Sequence, residues 1–125
     1  MDTLTREDRI NIINIIINKI ATTGRNFFSY KGAISKITYR NGRLYMFNEY
    51  TKKDMSLSTK YGYPPRGFSG GGTLWALTKD FKDFILSGEK SNHNHGYGGL
   101  YCTYWGYEEK DMLEIQKLAK ELGYL

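Results

Sequence analysis

Cysteine, proline and long apolar runs are scarce in this chain, and valine is missing altogether. One cysteine, Cys102, in 125 residues excludes an internal disulfide framework and a cysteine zinc cluster, and it fits a reducing compartment. The longest apolar candidate, Ile10 to Ile20, is interrupted by Asn11, Asn14, Asn18 and Lys19. A membrane span needs about 18–20 uninterrupted apolar residues, so none is expected. Met1-Asp2 opens onto mixed acidic and basic residues, which is not the pattern of a secretory signal, and a cytoplasmic location is expected. Both prolines, Pro64 and Pro65, sit side by side in one segment. Hydrophobic residues make up 40% and charged residues 25%, a balance that supports a core and excludes disorder. The length predicts a single domain over 1–125.

Acidic residues are scarce in the middle of the chain. Residues 25–66 carry nine lysines and arginines against Glu49 and Asp54 alone. Residues 1–24 are balanced, and residues 67–125 are slightly acidic. The net charge of +5 therefore comes from the middle third. What is plentiful is tyrosine, with 11, and glycine, with 14. A basic surface rich in ring faces points to an anionic, planar ligand, a nucleotide or nucleic acid. The plainer alternative is a solvated surface that happens to be basic.

Thr5-Arg-Glu-Asp8 has the shape of a capping box, and isoleucines follow at helical spacing. The pattern predicts a helix over 5–23, stopped by Gly24. Seven β-branched isoleucines do not favour a helix by propensity, so packing of a broad apolar face must hold it. Residues 26–31, 33–40 and 43–50 read as strands of an antiparallel meander, with turns at Lys31-Gly32 and Asn41-Gly42. Asn-Gly suits a two-residue type I′ hairpin, which pairs Arg40 with Arg43, Tyr39 with Leu44 and Ile37 with Met46. Residues 55–59 add a short fourth strand. A second helix begins at Thr73 and ends at Gly88, a late strand covers Leu100–Trp105, and a third helix runs from about Glu108 to Gly123. This order predicts an α+β domain.

The sharpest local feature is Arg66-Gly-Phe-Ser-Gly-Gly-Gly-Thr73 entering the second helix. Gly70, Gly71 and Gly72 can turn successive N–H groups into a concavity, and a helix start adds free N–H groups and the positive end of its dipole. Ser69 and Thr73 add hydroxyls, and Arg66 adds a forked phosphate contact. The segment lacks the lysine of a Walker loop and the spacing of a Rossmann fingerprint. Tyr61, Tyr63, Phe68 and Trp75 offer rings for a base, although Trp75 also suits a place over the sheet. Asn92 and His95, in Asn92-His-Asn-His95, suit ribose or phosphate hydrogen bonds. The two histidines lack a third ligand beside them, so no metal is expected, and no cofactor. Cys102 reads as a small buried hydrophobe. With no acid–base pair fixed near the basic region, binding is expected rather than catalysis.

The Ile-rich first helix, the Tyr-rich meander and Gly70-Gly-Gly-Thr-Leu-Trp-Ala-Leu77 entering an amphipathic helix resemble the phage anti-defence proteins that neutralise Thoeris immunity. The resemblance implies a sponge that binds a cyclic ADP-ribose isomer intact, in a pocket at a homo-oligomer interface, and that can hold other cyclic oligonucleotides at a separate site. It also implies life in a host cytoplasm. The composition, rich in Ile, Lys, Asn and Tyr, suits a phage or prophage of a low-GC Gram-positive host. Three other readings compete. They are a single-stranded nucleic-acid binder using the lysines and tyrosines of an open sheet, a small cyclic-nucleotide hydrolase, and a protein-inhibiting module acting through the first helix.

Overall fold

The computed structural model describes residues 4–58, 68, 72–89, 99–103 and 105–125. Helix α1 spans Arg6–Ala21. Its capping box forms as the sequence predicts. The Thr5 hydroxyl accepts from the Asp8 amide at 3.0 Å, and the Asp8 carboxylate accepts from the Thr5 amide at 2.9 Å. Those bonds hold the Asp8 carboxyl below its ordinary range.

One face of α1 carries Ile12, Ile13, Ile16, Ile17 and Ile20, all buried, whereas Ile15 is exposed. Each fully buried isoleucine contributes about 2 kcal/mol. The helix packs against α2 (Gly72–Ser87), α3 (Glu109–Leu122) and a strand, so the apolar stripe is the centre of a single core.

Two polar side chains fix how α1 docks. Asn14 donates to the Ile37 carbonyl at 2.9 Å and accepts from the Ile37 amide at 2.7 Å. Arg9 donates to the Ile85 carbonyl, near the end of α2, at 2.9 Å and to the Leu4 carbonyl at 2.7 Å. Asn14 thus does more than interrupt an apolar run. It satisfies one residue of a strand edge, which would otherwise leave an N–H and a C=O unpaired.

The described strands form two sheets, not one meander. Strands β1 (Ser29–Tyr30) and β2 (Ala33–Ile34) make a short hairpin. Strands β3 (Ile37–Arg40), β4 (Arg43–Asn48) and β5 (Lys53–Ser56) make an antiparallel sheet with β4 in the centre. The first expected strand is cut short because Asn26 and Phe28 have φ of 59° and 67°. The second is divided at Ser35, whose amide still pairs with the Phe28 carbonyl while its hydroxyl donates to the buried Glu49 carboxylate. The Asn41-Gly42 turn has φ of 53° and 77°, as a type I′ turn requires, and gives the expected register of Arg40 to Arg43 and Ile37 to Met46. Strand β5 starts earlier than the expected 55–59. Asn48 closes the preceding turn by accepting from the Tyr50 amide at 2.9 Å, and the Lys52 amide bonds the Asn48 carbonyl at 2.8 Å.

Helix α2 begins at Gly72, one residue before the expected start, and ends at Ser87, just before the expected stop at Gly88, whose amide bonds the Phe84 carbonyl at 2.8 Å. Leu74, Trp75, Leu77, Phe81, Phe84 and Ile85 are buried. The late strand expected at Leu100–Trp105 is not seen: none of the described residues there lies in a strand. The Gly99 carbonyl takes both the Cys102 amide at 3.0 Å and the Trp105 indole N–H at 3.2 Å, which folds the segment back on itself. The Leu100 carbonyl is taken by the Gln116 amide of α3 at 2.8 Å. Groups that would serve a ladder are satisfied locally and by a helix side chain. Cys102 is buried, as expected.

Tyr124 follows α3 and sets its ring edge-on to Phe81 at 5.4 Å and Phe84 at 5.1 Å, which clamps α3 to α2. Among the described residues no helix is long and apolar enough to cross a membrane.

Candidate functional site

Gly72, the last glycine of the run in sequence, is the first residue of α2. No acidic residue stands in the first turn. The helix start therefore keeps its positive end without a carboxylate of its own to neutralise it. Phe68 is half-buried, and its ring meets that of Trp75 edge-on at 5.4 Å. Trp75 is 6% exposed, so its indole, expected to offer a ring to a base, belongs to the core, and Phe68 packs against it. Of the remaining expected contacts, Tyr61, Tyr63, Arg66, Ser69, Gly70, Gly71, Asn92, His95 and the Thr73 side chain lie outside the described residues.

Several cations rest on rings of the basic region. The Arg40 guanidinium lies 4.3 Å from the centre of the Tyr45 ring, Arg6 4.4 Å from Tyr39, and Lys31 5.3 Å from Tyr30. Tyr30 in turn stacks on Tyr50 at 4.2 Å. Tyr30 of the hairpin and Tyr39 and Tyr45 of the three-stranded sheet thus each lie beside a positive charge, which the ring quadrupole attracts.

One concavity among the described residues was not visible in the sequence. A cleft of about 400 Å³ opens between the 101–107 segment and α3, lined by Tyr101, Cys102, Trp105, Met112, Leu113 and Gln116 among others. Leu113 is 56% exposed and stands off the apolar stripe of α3, which was the one sequence sign of this rim. Beside it, the Tyr107 hydroxyl donates to the Ile20 carbonyl at 2.9 Å and accepts from the Phe27 amide at 3.0 Å. Burial pushes the Tyr107 phenol up from its ordinary value. Among the described residues there is no cluster of three His, Cys, Asp or Glu side chains placed to hold a metal.

Among the described residues the fold is a three-helix α+β domain in which a basic, ring-bearing sheet and a glycine-led helix start share one core. The YoqU family matches residues 3–125, and the chain belongs to it. It is 31% identical over 120 residues to the SPbeta prophage-derived uncharacterized protein YoqU of Bacillus subtilis (strain 168), a match covering 94% of this chain and 82% of that protein. A prophage relative fits the phage character expected from the sequence. No solved structure matches the chain.

Proposed function

We propose that this protein binds a cyclic ADP-ribose-type signalling nucleotide and holds it without cleaving it, so that host Thoeris defence is not triggered. The observation that carries the reading is the entry of the glycine run into α2 at Gly72, with a first turn free of acidic residues. A diphosphate is the ligand group best suited to such a helix start. The basic residues of 25–66 raise the local concentration of an anion. A prophage lineage is one in which a protein that silences a host immune signal has a use. A sponge needs affinity and no transition-state chemistry. At 125 residues a monomer has little room to enclose a dinucleotide, so a homo-oligomer with a shared pocket is part of the proposal.

The test is calorimetry with glycocyclic ADP-ribose isomers on the full chain and on Arg66→Ala and Gly71→Glu. Both variants should weaken binding while far-UV circular dichroism stays unchanged. Ligand recovered from the denatured complex should be intact. A cleaved product would replace the sponge with the hydrolase, and unchanged affinity in both variants would remove the glycine site. Native mass spectrometry of protein purified from signal-producing cells reads retained ligand and oligomer together.

A further inference from the structure

The outer face of the β3–β4–β5 sheet carries its own pattern. Along β4 the burial alternates: Leu44, Met46 and Asn48 point into the core, whereas Arg43 is exposed and Tyr45 and Phe47 are half-buried. Neither Tyr45 nor Phe47 is among the side chains packed against the core. The register places Thr38 and Ser56 on either side of Tyr45, and Asp54 beside Phe47. The Phe47 amide bonds the Lys36 carbonyl at 3.1 Å, which extends the pairing by one residue and puts the exposed Lys36 on this same face. Arg40 pairs with Arg43 at the hairpin end. Two rings therefore stand two residues apart on a central strand, with Lys36, Arg40 and Arg43 around them.

We infer that this face binds single-stranded nucleic acid. Residues two apart on a strand project from one side, so successive unstacked bases can lie on Tyr45 and Phe47. The three cations suit the phosphates that link those bases, and Thr38 and Ser56 can bond sugar or base edges. A duplex keeps its bases stacked on one another and cannot use the rings in this way.

One contact sets the affinity. Arg40 lies over Tyr45 and also pairs with Asp54 at 3.1 Å. The carboxylate thus draws the guanidinium across the ring and cancels its charge. The pair is partly exposed, so its strength is small and a phosphate can replace it. Asp54 acts as a restraint on the site. This inference does not rest on the glycine-led nucleotide site, and either can fail without the other.

The experiment is fluorescence anisotropy with labelled dT12 and U12 on the full chain, across a series of salt concentrations. Binding should weaken steeply with salt, and an unlabelled 12-base-pair duplex should compete poorly. Tyr45→Ala and Phe47→Ala should each weaken binding by at least about fivefold. Arg43→Ala should make the salt slope shallower by about 0.7, the share of a single phosphate. Asp54→Asn should tighten binding, a gain that a misfolded variant cannot produce. No binding at low salt, competition by duplex equal to that of the single strand, or an Asp54→Asn variant that binds no tighter than the parent would overturn the inference.

Discussion

Gly24 lies just past the end of α1, with φ of +55°. A Cβ at this position would stand 2.7 Å from Cδ2 of Tyr107 and 2.9 Å from Cε2. The ring cannot simply turn aside. Its hydroxyl is held by Ile20 and Phe27, and its faces meet Phe27 at 5.1 Å and Trp105 at 5.6 Å. Gly24→Ala should therefore add two costs. Left-handed backbone costs a residue with a Cβ about 1–2 kcal/mol. Displacing a packed ring and its hydrogen bonds costs about 1–3 kcal/mol more. Gly32 supplies the control, with φ of +83° and nothing within 4 Å of its added Cβ. Gly32→Ala should show the backbone cost alone. In a domain of this size 1 kcal/mol moves the melting temperature by about 4 °C, so the difference is readable by calorimetry or urea titration. A double-mutant cycle sharpens the test. In a Tyr107→Ala background the clash is gone, and Gly24→Ala should cost no more than Gly32→Ala does. Equal losses for Gly24→Ala and Gly32→Ala in the parent chain, or no coupling between positions 24 and 107, would refute the argument.

Asn14→Leu keeps the side chain's size but strands the amide and carbonyl of Ile37, so a loss of about 2–4 kcal/mol is expected, with faster hydrogen exchange at the Ile37 amide. Tyr124→Phe should stabilise by about 1 kcal/mol, because the buried Tyr124 hydroxyl finds no hydrogen-bond partner among the described residues while its ring contacts do not need it. Burial first, then the charges of Asp80 and Asp83, push the Tyr124 phenol far above its ordinary 10.0. The folded state keeps this proton after the unfolded chain loses it, so stability is full below pH 10.0 and falls as pH rises beyond it. Tyr124→Phe should flatten that alkaline loss, leaving the part due to Tyr107. Burial, then Asp83, also raises the Asp80 carboxyl above 3.8. Its stabilising contribution is full below 3.8 and lost as pH climbs through the raised value. Urea titrations should therefore find Asp80→Asn more stable than the parent at pH 7, with the gap closing as pH falls toward 4.

Local codes were legible because their physics is local. The capping box at Thr5, the Asn41-Gly42 hairpin with its register, and the stops at Gly88 and Gly123 each depend on a few adjacent residues. The late strand failed for the opposite reason. Leu100-Tyr-Cys-Thr-Tyr-Trp105 has strand composition, but the Gly99 carbonyl and Gln116, 16 residues beyond Leu100, claim its backbone groups. The two-sheet division depended in the same way on the left-handed Phe28 and on Ser35 reaching Glu49. Neither long-range partner is marked in the local pattern. Of the expected nucleotide contacts, the helix start at Gly72 and the Phe68–Trp75 pair are described.

The asparagines of α1 serve two structural ends, solvation of one face and docking of another. A helix of seven isoleucines would be a poor helix and an aggregation hazard if its other face were apolar too. Asn11 and Asn18 keep that face wet, while Asn14 turns inward and closes the free edge of β3 at Ile37. With that edge held by α1, β4 becomes the centre of its sheet and its inner residues are committed to the core. The outward residues Arg43, Tyr45 and Phe47 are not among the described side chains packed against the core. Lys36, Arg40, Arg43, Tyr45 and Phe47 can therefore gather on the outer face of the sheet without displacing Leu44 and Met46 from the core.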